Sequence, residues 1–211
     1  MRTHIFIVLD RSGSMSGRKA DHIGGLKSFI EQQKGIDPQP RFTFVQFDGN
    51  NPFDLIYDGV DIGEVGEIDL QPRGMTPLYD AVGRTIAHAK EKVQADEAPL
   101  FVVVTDGEEN YSSEWNRTNI ARAVKNQEDA GWKFLFLGAG IDAFSEAVKI
   151  GIDNKTVASV ANTSAAIGNM YSVLRTKATA YNTEVNVSGC ISMDSATLNF
   201  SDEERSSLSA T

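Results

Sequence analysis

Asp10-Arg11-Ser12-Gly13-Ser14 places one carboxylate and two hydroxyls in a short Gly-containing turn, directly after the apolar run Ile5-Phe6-Ile7-Val8-Leu9. Short oxygen side chains gathered at a strand end suit a hard divalent cation. The turn offers no thiol or imidazole for a softer metal. A second apolar run, Leu100-Phe101-Val102-Val103-Val104-Thr105, delivers Asp106 in the same way, followed by Gly107-Glu108-Glu109-Asn110. Thr76 precedes Pro77, which predicts an extended residue at the mouth of a helix. Its alternative role there is a helix N-cap.

The pattern of the chain must bring these groups together. Residues 4 to 9 read as a buried strand, and Ile23, Leu26, Phe29 and Ile30 have helical spacing between about 18 and 34. Residues 41 to 47 and Phe53 to Tyr57 read as two strands joined by Gly49-Asn50-Asn51-Pro52, an antiparallel hairpin at a sheet edge. A polar, Gly-rich loop over 59 to 75 precedes a helix to about 94. After the strand ending at Thr105 come a helix from about 114 to 130, a strand from Trp132 to Leu137, and a short helix from Ala143 to Ile150. Lys155 to Val160 is the last strand, and 164 to 181 an amphipathic helix that covers the sheet. Residues 182 to 211 turn polar, with Ser201-Asp202-Glu203-Glu204 as a capping box, and read as a loosely held tail.

Strands alternating with helices predict an α/β, Rossmann-like, doubly wound fold: a mostly parallel sheet, one short antiparallel edge strand, and helices on both faces. Ligands of such sheets bind beyond the carboxyl ends of the strands, where the strand order reverses. The two most apolar strands should be central, so Asp10 and Asp106 should face each other across that crevice. Like-charge repulsion would then be costly, and a divalent cation would remove the cost.

Composition narrows the classes. A formal charge of −9, with no basic run, argues against nucleic acid. Cys190 is the one cysteine, which leaves no disulfide framework and no Cys-rich zinc site. His4, His22 and His88 are scattered and read as surface or core residues. No apolar run approaches the ~20 residues needed to span a bilayer, and no charged leader with an apolar stretch opens the chain. The sequence therefore predicts a cytoplasmic protein.

Asp10-x-Ser12-x-Ser14, a later Thr76 and a later Asp106 resemble the metal-ion-dependent adhesion site of von Willebrand factor A-type (VWA) domains. Thr76-Pro77-Leu78-Tyr79-Asp80-Ala81 and Thr105-Asp106-Gly107 resemble the surrounding text of that family. The likeness covers residues 4 to about 180, which divides the chain into a domain over 1–181 and a tail over 182–211. It implies that Ser12, Ser14 and Thr76 supply hydroxyl ligands, and that Asp10 and Asp106 bind the metal directly or through water. The implied metal is Mg²⁺, with Mn²⁺ or Ca²⁺ able to substitute. It further implies a non-enzymatic adhesion or adaptor module, in which an Asp or Glu carboxylate of a protein partner completes the metal's shell. Lone versions occur in bacteria and phages, some as accessories of AAA+ ATPases or as assembly factors.

Other readings carry less. Gly138-Ala139-Gly140-Ile141-Asp142-Ala143 fits a dinucleotide fingerprint, but it opens a late strand–helix unit and lacks the following acidic residue. A Mg²⁺-dependent phosphoester hydrolase would suit two aspartates but lacks an evident base or phosphate-binding lysine. A purely structural metal in an assembly subunit is the third alternative. Glu108 and Glu109 either rim the site or are solvated loop charges. Arg11 either steers an incoming carboxylate or faces solvent, and Asp48, Asp54 and Asp58 have no assigned role.

Overall fold

The computed structural model describes residues 1–192 and 195–210. It contains a six-stranded sheet built from β1 (Arg2–Asp10), β2 (Arg41–Asp48), β3 (Asn51–Asp61), β4 (Glu97–Thr105), β5 (Lys133–Ala139) and β6 (Val157–Val160). The order is β3-β2-β1-β4-β5-β6, with every neighbouring pair parallel except β2 and β3. The edge strand is longer than the Phe53–Tyr57 stretch, because irregular register along β2 lets pairing run on from Asp48↔Asn51 to Arg41↔Asp61.

The helices are α1 (Lys19–Gln33), α2 (Leu78–Lys92), α3 (Arg117–Asp129), α4 (Ala143–Lys149), α5 (Ser164–Ser188) and α6 (Asp202–Ser209). Alternation along β1 sends Ile5, Ile7 and Leu9 into one core with α1 and α5, and Phe6 and Val8 into the other with α2, α3 and α4. Phe6, Phe101 and Trp132 stack in series across the second core, with centroids 4.4 and 5.4 Å apart. Both faces of the central strands are thus dry, which explains their unbroken apolar text.

β1 and β4 are neighbours in register Leu9↔Val104, so the next residues, Asp10 and Thr105, emerge side by side. The chain leaves β1 for β2 on one side and later enters β4 on the other. The strand order therefore reverses where the two strands end.

The C-terminal segment is not a loose tail. α5 runs past residue 181 to Ser188 and closes on Gly189, whose φ of +65° is the left-handed conformation glycine accepts freely. Leu198, Phe200 and Leu208 are buried in the core with α5. The Ser201–Glu204 capping box forms and starts α6. The Arg205 guanidinium donates to the carbonyls of Asn154, Lys155 and Val157, beside the β6 edge. Buried Lys177 donates to Asn199 O at 2.7 Å and pairs with Glu204 at 2.8 Å. Composition underrates this segment because a few well-spaced apolar residues anchor it among many polar ones.

Candidate metal centre

Asp10 is fully buried at the end of β1. Its Oδ1 accepts from the Ser12 backbone N–H at 2.6 Å, which closes the turn. Its Oδ2 accepts from the Thr105 hydroxyl at 2.6 Å. Ser12 Oγ and Ser14 Oγ are in hydrogen-bond contact at 2.9 Å, and Ser14 Oγ donates to Asp106 Oδ1 at 2.5 Å. Four of the five residues singled out from the sequence thus form one continuous chain of contacts. Burial pushes the Asp10 carboxyl up to about 6 against the pull of the Thr105 and Ser12 hydrogen bonds, and the charge of Asp106 adds to the rise. Burial also raises Asp106, although the Ser14 bond opposes it.

Thr76 reaches the same place from a third loop. Its backbone N–H donates to Asn110 Oδ1 at 2.9 Å, and its carbonyl accepts from Asn110 N–H at 3.1 Å. A Cβ on Gly107 would lie 2.6 Å from Thr76 Oγ1, so glycine is what lets the two loops close. Thr76 does not cap α2. The N-cap position is Pro77, and the free N–H groups of Tyr79 and Asp80 are taken by Glu109 and Ser112. Among the described residues, no hydrogen bond engages the Thr76 hydroxyl.

Arg11 neither steers a ligand nor faces solvent. Its side chain is buried, with Nε 2.6 Å from Asp48 and an Nη 2.5 Å from Asp54 and 3.1 Å from Gln46. Asp48 also accepts from Arg73 and from the N–H groups of Asn50 and Asn51. Burial pulls the Asp48 carboxyl up, but these donors hold it below its ordinary range. The clasp fixes the hairpin tip and the 73–75 loop against the turn, where Arg73 N donates to Arg11 O and Gly13 N to Gly74 O. Glu109 is no solvated charge either, since it gathers the N–H groups of Tyr79, Tyr111 and Ser112 and the Ser112 hydroxyl. Asp58 pairs with His88 and Lys92, away from the turn. In the sequence Thr105 reads only as the residue before Asp106. The signal that could have found it is a hydroxyl closing an otherwise apolar strand.

No three His, Cys, Asp or Glu side chains converge as a metal cluster among the described residues. A cation here would have to be held largely by hydroxyls, and the donor set fits that requirement. Adjacent ligands of an octahedral Mg²⁺ stand about 2.9 Å apart, and Ser12 Oγ and Ser14 Oγ have that spacing. The Gly-x-Gly stretch that closes β5 has a packing explanation instead. A Cβ on Gly138 would meet Ala143 at 2.7 Å, and Gly140 has a φ of +71°.

The family model described as von Willebrand factor type A domain matches residues 4–173. The chain belongs to the von Willebrand factor type A domain family. Domains of this family are generally metal-dependent protein-interaction modules. Inter alpha-trypsin inhibitor, heavy chain 4, of Mus musculus is 25% identical over 166 residues, covering 73% of this chain. The VWA chain spans only 17% of that relative's length. Among solved structures, the pilus adhesin SpaC from Lactobacillus rhamnosus GG, in an open conformation, matches with a TM-score of 0.69 at 13% identity, covering 86% of this chain and 30% of SpaC. Proximal thread matrix protein 1 from the mussel byssus, with a zinc-occupied MIDAS motif, matches with a TM-score of 0.61 at 15% identity, covering 82% of this chain and 45% of that one. These identities speak for the fold alone. Among the described residues, no helix is long and apolar enough to cross a membrane.

Proposed function

We propose that this VWA domain is a non-catalytic adhesion or adaptor module that recognises a carboxylate-bearing protein partner through a divalent cation, Mg²⁺ in the first instance. The carrying observation is the run of oxygens from Ser12 through Ser14 to Asp106, at 2.9 and 2.5 Å, with buried Asp10 beneath it. Ser12, Ser14 and Thr76 would hold the ion by hydroxyls. Both Asp10 oxygens already accept one protein donor each, which favours a water-mediated role for Asp10 and leaves Asp106 as the outer carboxylate. When bound, the cation supplies an electrophilic position for an Asp or Glu of the partner.

The chain's own residues do the rest. Thr105 and the Ser12 N–H orient the Asp10 carboxylate, and Asn110 and Gly107 set the Thr76 hydroxyl. The Arg11–Asp48–Arg73 clasp holds the hairpin tip and the 73–75 loop against the turn. With one cysteine and no disulfide framework, a reducing compartment such as the cytoplasm suits the chain. An accessory role beside an AAA+ ATPase, in bacteria or phage, extends this reading by analogy with the family.

The test is affinity capture from the native host with Mg²⁺, with chelator, and with Ser12→Ala. A partner held only by the unaltered domain in Mg²⁺ supports the proposal. A partner retained under all three conditions contradicts it.

A further inference from the structure

Five large apolar side chains are exposed among the described residues: Ile56, Met75, Tyr111, Val148 and Val187. Ile56 lies on edge strand β3, Val148 on α4 and Val187 near the end of α5, each on its own element. Met75 and Tyr111 are different. Each directly adjoins, along the chain, one member of the reciprocal Thr76–Asn110 pair, which brings the two loops that carry them together.

Both are presented on backbones pinned from below. A Cβ on Gly49 would lie 2.7 Å from Met75 N, and Gly74 before it sits at a φ of +69°. Tyr111 N–H donates to Glu109 Oε1 at 2.9 Å, within the Glu109 web. Met75 is 47% exposed and Tyr111 55% exposed, so the interior does not require their bulk. A backbone already fixed in place costs less ordering on binding than a mobile loop would. Methionine and tyrosine are also favoured at protein-binding surfaces.

The charges nearby restrict the occupant. Asp106 and exposed Glu108 lie in the same 106–111 loop as Tyr111, and the whole chain carries −9. A run of acidic residues would be repelled, whereas one carboxylate aimed at a cation would not. We propose that Met75 and Tyr111 form an apolar specificity rim that grips a large aliphatic or aromatic side chain adjoining the partner's single carboxylate. This rests on the carboxylate reading of the metal centre and adds the chemistry of the partner's flanking residue.

The probes are two capped tetrapeptides, acetyl-Gly-Asp-Leu-Gly-amide and acetyl-Gly-Asp-Ser-Gly-amide. Each is titrated by NMR into the full chain with Mg²⁺ and with chelator, following the Met75 methyl and Tyr111 ring signals. The expected result is about tenfold tighter binding of the leucine peptide in Mg²⁺, from the apolar surface it covers. Both reporter signals should move. Met75→Ser with Tyr111→Ser should abolish that preference while leaving Mg²⁺ affinity and serine-peptide binding unchanged. Val148→Ser should leave the preference intact. Equal affinities for the two peptides, or a preference that survives the double substitution, overturns the rim while sparing the metal centre. Binding of both peptides that is indifferent to chelator, or no binding of either in Mg²⁺, overturns the carboxylate reading and the rim with it.

Discussion

The Thr105 hydroxyl donates to Asp10 Oδ2 at 2.6 Å, in the interior, across the two central strands of the sheet. Strand register alone makes this pair, because Leu9 stands beside Val104. With the Ser12 N–H on the other oxygen, the bond holds a buried carboxylate in one orientation at the base of the Ser12–Ser14 turn. Second-layer partners of this kind usually alter metal affinity by ~10–100-fold. Thr105→Val keeps the shape and removes the donor. It should weaken Mg²⁺ binding by about tenfold with the fold retained, as read by calorimetric titration beside circular dichroism. Unchanged affinity would mean that Asp10 needs no such orientation.

Acidity should compete with the cation. The Asp10 carboxyl is raised to about 6 by burial, so a proton occupies it increasingly as pH falls through 6. Metal affinity should therefore be close to its plateau at pH 8 and decline steadily below about 6. The metal-free protein shows the opposite sign for this group. Its folded-state value lies above the unfolded one, so its contribution is fully present below about 3.8 and is lost as pH rises through about 6. That strain amounts to about 3 kcal/mol at neutral pH. Asp10→Asn should accordingly raise metal-free stability near pH 7 while impairing Mg²⁺ binding, which denaturant melts and titrations can read separately.

His22 supplies a pH dependence on the far side of α1. Burial lowers its imidazole to about 4, with Nδ1 3.1 Å from the Tyr171 hydroxyl. A depressed histidine means that the unfolded chain takes the proton first. Stability from this group is complete above about 6.5 and is lost as pH drops toward 4, by about 3 kcal/mol in all. His22→Phe should flatten the stability profile between those values. An unaltered slope would show that other groups govern acid sensitivity.

The Arg11–Asp48 pair has a buried side chain on each end, so removing one partner strands the other. Asp48→Ala should cost about 3–5 kcal/mol, the usual penalty for an uncompensated buried charge. Arg11→Met with Asp48→Leu should recover much of that. Urea unfolding of the single and double variants distinguishes this from a surface pair, for which every change would stay within about 1 kcal/mol.

Removal of residues 190–211 should destabilise the domain by several kcal/mol, since it withdraws the buried side chains of Leu198, Phe200 and Leu208. It also removes the Arg205 contacts beside β6, so light scattering should reveal association through that edge. A truncated chain with unchanged melting behaviour would return this segment to the status of a tail.

Much of the fold could be read in advance because periodicity is a direct imprint of burial. The unbroken apolar text of Ile5–Leu9 and Leu100–Val104 marked central parallel strands, and their terminal aspartates marked the crevice. The turn Asp10–Ser14 was legible because its chemistry is local. What escaped depends on partners distant in sequence. Arg11 looks like any surface arginine until Asp48 and Asp54 arrive from the hairpin. Glu109 looks solvated until the N-terminus of α2 is placed over it. Leu198, Phe200 and Leu208 carry no period of their own, because each fills a space shaped by α5 and the sheet.

The central claim is that oxygens from three loops share one cation with a position left open to a partner. Diffraction from crystals soaked in Mn²⁺, with anomalous scattering at the manganese edge, tests it most directly. The account predicts one strong peak bounded by Ser12, Ser14, Thr76 and Asp106, with Asp10 beneath it and a solvent or exogenous carboxylate oxygen on the outward side. No peak there, or a metal whose every position is filled by the protein's own atoms, would contradict it.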